Sequence, residues 1–246
     1  YSNVLSGYSA NDIVPKIEAL AKDFAVHGGT EMKLTGEQED QLETMTFLLK
    51  AMVIAIGLIF FILITQFSSI SKSIIILSEV IFSIIGVLMG IIIFDMEIVI
   101  MMTGLGIVAL GGIVVRNGIL IVEFSDVQKQ RGLPTRKAII EAGKTRMTPV
   151  VLTASATILG LIPLAVGLNI NFETLFTHLN PQIYFGGDNV AFWSPLSWTI
   201  IFGLSFATFL TLVFVPALYY LDYVIRLKVK RQRFLRQLKK AQEEQF

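Results

Sequence analysis

Cysteine is absent from the 246-residue chain, and histidine occurs only as His27 and His178. Without cysteine there are no disulfides, no thiolate metal sites and no cysteine nucleophile. Two histidines so far apart do not form a zinc or haem site on their own, and no nucleophile and base stand in a recognisable set. We therefore expect no metal, no cofactor and no enzymatic activity.

Charge is also scarce. Only 16% of the residues are charged and 54% are hydrophobic, with a mean hydropathy of +0.69 and a net charge of +1. A soluble domain carries about 25% charged and about 45–50% apolar residues. The composition indicates a membrane protein surrounded by lipids, and we expect no nucleic-acid partner.

The apolar residues fall into runs that approach or exceed the roughly 20 residues a membrane-spanning helix needs. The five runs are about 47–67, 74–94, 98–124, 149–168 and 198–224. We predict an α-helical polytopic membrane protein, with five transmembrane helices in a domain of residues 47–225.

Lysine and arginine predict which connections are cytoplasmic. They are concentrated in the loop 125–148 and in the tail 226–246, whereas the segment 169–197 has none and carries Glu173 and Asp188. Because cytoplasmic loops carry the excess of basic residues, we predict that this loop and this tail are cytoplasmic. The tail is expected to be solvated or bound to lipid headgroups. An odd number of crossings then places residues 1–46 on the outer side.

Residues 1–46 predict a small α/β fragment. Apolar residues recur at helical spacing from Ile13 to Phe24, a glycine pair ends that helix, and a short strand follows at 31–35. So few residues cannot bury an adequate core, so we expect something missing to cover the helix. The first residue is Tyr1 rather than methionine, which suggests a fragment or a processed product.

The third apolar run contains one arginine, Arg116, within LGGIVVRNGILIVEF. It stands eight residues before Phe124, which at 1.5 Å per residue is roughly 12 Å inside the run. Helical side chains lean towards the N-terminus, here the outer side, so Arg116 does not easily reach the nearer interface. A charge left in lipid costs at least about 2.5–3.5 kcal/mol, which predicts a carboxylate partner or a watery cavity.

The apolar runs offer Arg116 no convincing carboxylate. Glu79 either pairs across helices or reaches Lys72 and the headgroups, and Glu123 is expected to face water. Small residues near the arginine favour close helix packing, which would place it in a packed interior, although glycine is also simply common in membrane helices. These are Gly104, Gly106, Gly111, Gly112 and Gly118.

Several stretches together resemble the last part of a resistance-nodulation-division (RND) efflux pump of the hydrophobe/amphiphile exporter type. They are GIVVRNGILIVEF at 112–124, the basic segment 132–142, RMTPVVLT at 146–153, ILGLIPLA at 158–165 and FVPALYY at 214–220. The resemblance covers almost the whole chain. Residues 1–46 resemble the end of the periplasmic porter region, and the five runs resemble helices eight to twelve of twelve.

The resemblance implies a proton relay, in which a basic residue of the tenth helix faces two aspartates of a fourth helix that this chain lacks. Arg116 and Asn117 stand at the basic position and its neighbour, and Thr153 and Arg146 at a threonine and an arginine of the relay. From composition alone, the Thr153 hydroxyl would simply bond a carbonyl of its own helix. In such pumps the aspartates bind and release protons, so the proton gradient drives helix motion and export.

The resemblance further implies a proton antiporter of the bacterial inner membrane that exports small hydrophobic or amphiphilic compounds. It would be a homotrimer that works with a periplasmic adaptor and an outer-membrane channel. Arginine replaces the usual lysine at position 116, and since it cannot shuttle protons it would be a fixed electrostatic partner. Two alternatives stay open: a metal-exporting RND pump, and a truncated or scaffold-like membrane piece without transport activity of its own.

Overall fold

The computed structural model describes residues 37–170, 176–177 and 182–243. Contacts divide the chain into two compact units, Tyr1–Glu43 and Thr44–Phe246. Only residues 37–43 of the first unit are described, and they form the start of a helix. The helix and strand predicted at 13–35, and with them most of the α/β fragment, lie outside the described residues.

Five long helices and one hairpin make up the described chain. The helices are α1 Glu37–Phe67, α2 Ile70–Ile93, α3 Ile100–Gln130, α4 Thr135–Val166 and α5 Asp188–Glu243, and the strands are β1 Leu168–Ile170 and β2 Ile183–Phe185. Each of the five helices contains a stretch long and apolar enough to cross a membrane. The prediction of a polytopic helical membrane protein is confirmed.

The structure differs from the sequence-based bounds at the basic connections. The predicted loop 125–148 is helical except for a short turn at 131–134, where Gly132 has a φ of +89°. The predicted tail is likewise helical as far as Glu243, as a continuation of α5. Hydropathy detects only the apolar part of a helix, whereas lysine, arginine, glutamate and glutamine are good helix formers that extend it into water.

The hairpin follows α4 and was not predicted. β1 and β2 pair antiparallel, and the Asn169 side-chain amide donates hydrogen bonds to the carbonyls of Gly167 at 3.1 Å and Gly186 at 2.7 Å. The last turn of α4 is capped by α5, because Ser194 and Trp198 both donate to the carbonyl of Ala165. These bonds satisfy a helix-terminal carbonyl that has no partner within its own helix.

Helix α5 is the centre of the bundle, since it packs against α2, α3 and α4. Helix α1 is peripheral, because only 6% of its apolar stretch is buried. On α2, Gly86 and Gly90 lie one turn apart and face Phe206 and Phe202 of α5. A Cβ atom added to either glycine would clash with the Cβ atom of the phenylalanine that it faces. The α2–α5 seam is therefore a small-residue contact of the kind that lets membrane helices approach closely.

A polar cluster ties three helices together at the end of the bundle that carries the turn 131–134, here called the basic end. The carboxylate of Asp126 on α3 accepts from the Lys72 ammonium of α2 and from the Tyr219 hydroxyl of α5, both at 2.6 Å. Lys129 lies 5.5 Å from the centre of the Tyr219 ring. Asp126 is thus the common acceptor of α2 and α5.

The α2–α5 seam predicts the effect of a single added methyl group. Gly90→Ala forces Phe202 or the helices apart, and we expect a destabilisation of about 1–3 kcal/mol, seen as a lower melting temperature in detergent. Gly57→Ala is the matched control, because its Cβ meets no atom within 4 Å. Equal melting temperatures for the two variants would contradict the close contact.

The Asp126 cluster predicts a difference between two aspartates of the basic end. Asp126→Ala leaves the Lys72 ammonium and the Tyr219 hydroxyl without their shared acceptor, and we expect a loss on the order of 1–2 kcal/mol for this partly exposed group. Asp222→Ala removes a local pair with Arg226 four residues away, which is worth only about 0.3–0.5 kcal/mol. Thermal unfolding that ranks the two variants equally would argue against a cross-helix role.

Candidate functional site

Arg116 lies near the middle of α3, on a face that no described residue covers. It is 14 residues before the helix end at Gln130, or roughly 21 Å along the axis. Exposed residues recur every three or four positions along the same face as far as Arg116, and again seven positions later: Met101, Leu105, Ala109, Gly112, Arg116 and Glu123. We call this surface the Arg116 face.

The opposite side of α3 is buried in the bundle. Gly106, Gly111 and Gly118 lie against Thr199 of α5 and against Val80 and Glu79 of α2. Gly104 lies against Leu48 of α1, whereas Gly112 has no described atom within 4 Å of its added Cβ, in keeping with its place on the Arg116 face. Four of the five glycines proposed for packing therefore have a close neighbour.

No described carboxylate pairs with Arg116. The ion pairs of the described residues are Lys72–Asp126 and Arg226–Asp222. Glu79 is turned into the bundle, where it accepts a hydrogen bond from Thr211 at 2.8 Å, and Glu123 is exposed at seven positions from Arg116. The positive charge in the middle of α3 thus lacks a counter-charge among the described residues.

Asn117 follows Arg116 in sequence but points in a different direction. Its side chain is 2% exposed, and its Oδ1 atom has no hydrogen-bond partner among the described residues. A buried acceptor without a partner is uncommon in folded proteins and calls for a reason. Arg116 and Asn117 therefore present a donor and an acceptor on two neighbouring faces of one helix turn.

Arg146 and Thr153 both belong to α4. The guanidinium carbon of Arg146 lies 4.5 Å from the ring centre of Phe124 on α3, and its buried Nε atom has no described partner. The Thr153 hydroxyl donates to the carbonyls of Pro149 and Val150 in its own helix, both at 3.0 Å. Arg146 thus joins α4 to α3 by a cation–π contact, while Thr153 makes, within the described chain, only the local bonds that composition led us to expect.

Among the described residues, the four predicted relay positions make no hydrogen bond or ion pair with one another. All four positions belong to α3 or α4. Arg116 alone stands in the middle of a membrane-spanning stretch, where a charge is costly. Chemically, the arrangement supplies fixed positive charge and neutral polar groups, and it contains no carboxylate that would carry a proton. A relay built on these residues needs an acidic partner on another segment.

Sequence reasoning missed two features of the bundle. The Gly86 and Gly90 pair has the small-xxx-small spacing of close membrane-helix contacts, which is readable in GVLMG. The bond between Glu79 and Thr211 was not predicted, because 132 positions separate these residues. The sequence indicates this bond only through a glutamate inside the apolar run 74–94 and a threonine inside the apolar run 198–224.

A family model and individual proteins of known sequence both show to which family the chain is related. Residues 1–175 match the AcrB/AcrD/AcrF family. The chain is 35% identical over 184 residues to the swarming motility protein SwrC of Bacillus subtilis. This alignment covers 75% of the chain and 16% of SwrC. It is 27% identical over 226 residues to the multidrug resistance protein MdtC of Erwinia tasmaniensis. This second alignment covers 91% of the chain and 20% of MdtC.

Two crystal forms of a heavy metal efflux pump share the fold. They superpose with TM-scores of 0.66 and 0.63 at 24% and 25% identity, and the match covers 89% and 87% of this chain but only 20% and 19% of theirs. The chain thus spans about a fifth of the length of these proteins and of MdtC. With its five apolar helices and its match over residues 1–175, the chain belongs to the AcrB/AcrD/AcrF family of RND efflux transporters.

Proposed function

We propose that the chain acts as the C-terminal portion of a proton-driven pump that exports hydrophobic or amphiphilic compounds across the bacterial inner membrane. The observation that carries this proposal is Arg116, a permanent positive charge in the middle of α3 with no described counter-charge. Such a charge is costly in hydrocarbon, so an acidic helix packed on the Arg116 face explains why it is tolerated. Secondary transport then follows from the titration of that acidic helix.

The proposed mechanism assigns each residue a part. Ionised acids on the partner helix attract Arg116, and their protonation removes most of that attraction, which changes the force on α3. Arg116 keeps its proton throughout, since the guanidinium is not deprotonated in proteins. Helix α3 is fixed to α2 and α5 through Gly118, Gly106 and Asp126, so a shift of α3 moves these helices as well. Asn117 and Arg146 each offer a buried polar atom that has no partner among the described residues to a rearranged interface.

Two names among the similar proteins suggest different cargoes. MdtC is named for multidrug resistance, whereas the structural neighbours are heavy metal efflux pumps, whose likeness at 24% identity concerns the fold. The described residues contain no group of three or more His, Cys, Asp or Glu that could hold a metal ion. We put amphiphilic compounds first, in line with the resemblance to hydrophobe/amphiphile exporters and the similarity to MdtC, and keep metal export as the second candidate.

The working assembly that we propose is a homotrimer joined to a periplasmic adaptor and an outer-membrane channel. In the proposed orientation the basic end, with its turn at 131–134 and the extension of α5, faces the cytoplasm, as the positive-inside rule favours. A membrane piece without its own transport activity is the alternative, and it predicts that no variant of this chain alters resistance.

Arg116→Ala tests the proposal directly. In the complete transporter we expect resistance to amphiphilic drugs to fall to the level of a strain without the pump, because the acidic partner loses its cation. Arg116→Lys, which keeps the charge, should retain resistance at least in part. The readout is the inhibitory concentration of a panel of drugs and divalent metals, compared at equal membrane levels of each variant.

The control for this experiment is Arg136→Ala, which removes an exposed arginine from the first turn of α4. Normal drug resistance in Arg116→Ala at matched levels would remove Arg116 from the mechanism. A loss of tolerance to metals alone would favour the metal-exporting alternative instead.

Thr153 and Thr157 form a matched pair for a second test. Both hydroxyls bond carbonyls of α4, Thr157 to that of Thr153 at 2.9 Å. If the Thr153 hydroxyl joins the relay during the cycle, Thr153→Val should reduce drug efflux partly while Thr157→Val leaves it unchanged. Rates of dye efflux from energised cells measure this, and equal rates in the two variants would leave Thr153 with only its local bonds.

A further inference from the structure

Glu79 is a carboxyl group enclosed by the helix bundle. It lies on α2, is 2% exposed, and its Oε2 atom accepts a hydrogen bond from the Thr211 hydroxyl of α5 at 2.8 Å. Thr211 itself is fully buried. Since the two residues are on different helices, the bond is a contact between α2 and α5 and not a local capping interaction.

The third side of the enclosure is the backbone of α3. A Cβ added at Gly118 would overlap the Glu79 carboxyl group, so glycine is what leaves room for it. The Oε1 atom is buried and has no hydrogen-bond partner among the described residues. The pocket is thus formed by three helices: α2 supplies the acid, α5 supplies the hydroxyl donor, and α3 leaves space because Gly118 has no side chain.

The charged and titratable groups of these three helices lie elsewhere. Lys72, Asp126 and Tyr219 are seven or eight positions from Glu79, Gly118 and Thr211 respectively, roughly two helix turns nearer the basic end, and they bond to one another. Arg116 and Glu123 lie on the exposed face of α3, and Lys129, Asp222 and Arg226 belong to the basic end. None of the described lysines or arginines forms an ion pair with Glu79.

An apolar layer separates Glu79 from the polar cluster of the basic end. Ile76, Val122 and Val215, one from each helix, are each no more than 1% exposed and belong to the same core cluster. Among the described residues, an ionised carboxylate in this enclosure would have a single hydroxyl donor and no cation, and it would be almost wholly shielded from solvent. Isolated buried charge of that kind is strongly disfavoured against the neutral acid.

We propose that Glu79 is a proton-binding site of the transporter, separate from the Arg116 face and occupied in this conformation. Oε2 is the carbonyl oxygen that accepts from Thr211, and Oε1 carries the bound proton against the backbone of α3. The ligand is a proton rather than a metal cation, because one carboxyl group and one hydroxyl provide too few oxygens for a cation shell. The site does not depend on the cargo or on the proposed role of Arg116.

Infrared difference spectroscopy on the purified complete transporter tests the site. A neutral carboxylic acid has a C=O stretching band that a carboxylate lacks, and an ordinary glutamate with a pKa of about 4.3 is ionised at neutral pH. We expect the spectrum of the wild type minus that of Glu79→Gln at neutral pH to show one such band. Glu79→Gln keeps the size of the side chain and an acceptor for Thr211. Absence of the band from the difference spectrum would overturn the proposal.

Two further variants keep the experiment decisive. Thr211→Val preserves volume but removes the hydrogen-bond donor, so the band should persist and move to higher frequency, which also identifies it if Glu79→Gln fails to fold. Glu141→Gln, at an exposed acid of α4, should leave the neutral-acid C=O band unchanged. Spectra are recorded with and without sodium at constant pH. Loss of the band on addition of sodium would show that a metal cation competes for the carboxylate, and would equally overturn the assignment.

Discussion

The absence of water in the hydrocarbon region is the constraint on which this structure depends. A polar group there must find its partner inside the protein, and the cost of leaving it alone is several kcal/mol for a backbone or charged group. The bundle meets the constraint differently at Glu79 and at Arg116. Glu79 is enclosed by three helices and bonded to Thr211, whereas Arg116 is presented outward on a face that no described residue covers. The first arrangement is built entirely from described residues, although the Oε1 atom of Glu79 has no hydrogen-bond partner among them, and the second requires another segment.

The α2–α5 seam makes the enclosed arrangement possible. The two helices run antiparallel, and facing residues follow a nearly constant register: Gly90 with Phe202, Gly86 with Phe206, and Glu79 with Thr211. Two glycines bring the backbones together, so the carboxyl group further along the seam is shielded from both sides. Below it the apolar layer of Ile76, Val122 and Val215 closes the seam before the Asp126 cluster begins. Close packing and polar bonding are therefore parts of one continuous interface.

The sequence allowed the number and approximate positions of the helices to be predicted, because apolar length is a property of each segment by itself. It did not allow the pairing of Glu79 with Thr211 or of Gly90 with Phe202 to be predicted, because helix register depends on the packing of segments far apart in the chain. The helical character of 135–148 and of the residues after Val224 was missed for another reason. Hydropathy indicates which part of a helix is apolar enough to lie in lipid, but it does not indicate where the helix ends in water. The need of Arg116 for a partner was predictable from its position alone, while the identity of that partner depends on residues beyond the described bundle.

The length of α5 has a mechanical consequence. Its 56 residues form one continuous helix, which at 1.5 Å per residue is about 84 Å long and far exceeds a bilayer core of about 30 Å. Because α5 is held by α2, α3 and α4 over its apolar part, that part is the fulcrum and the extension after Val224 is a long arm. By simple geometry, the arm from Val224 to Glu243 is roughly 28 Å long, so a tilt of roughly 5° would move its tip by roughly 2.5 Å. Small rearrangements around Thr211 and Tyr219 would therefore reach the end of this arm as displacements of a few ångströms.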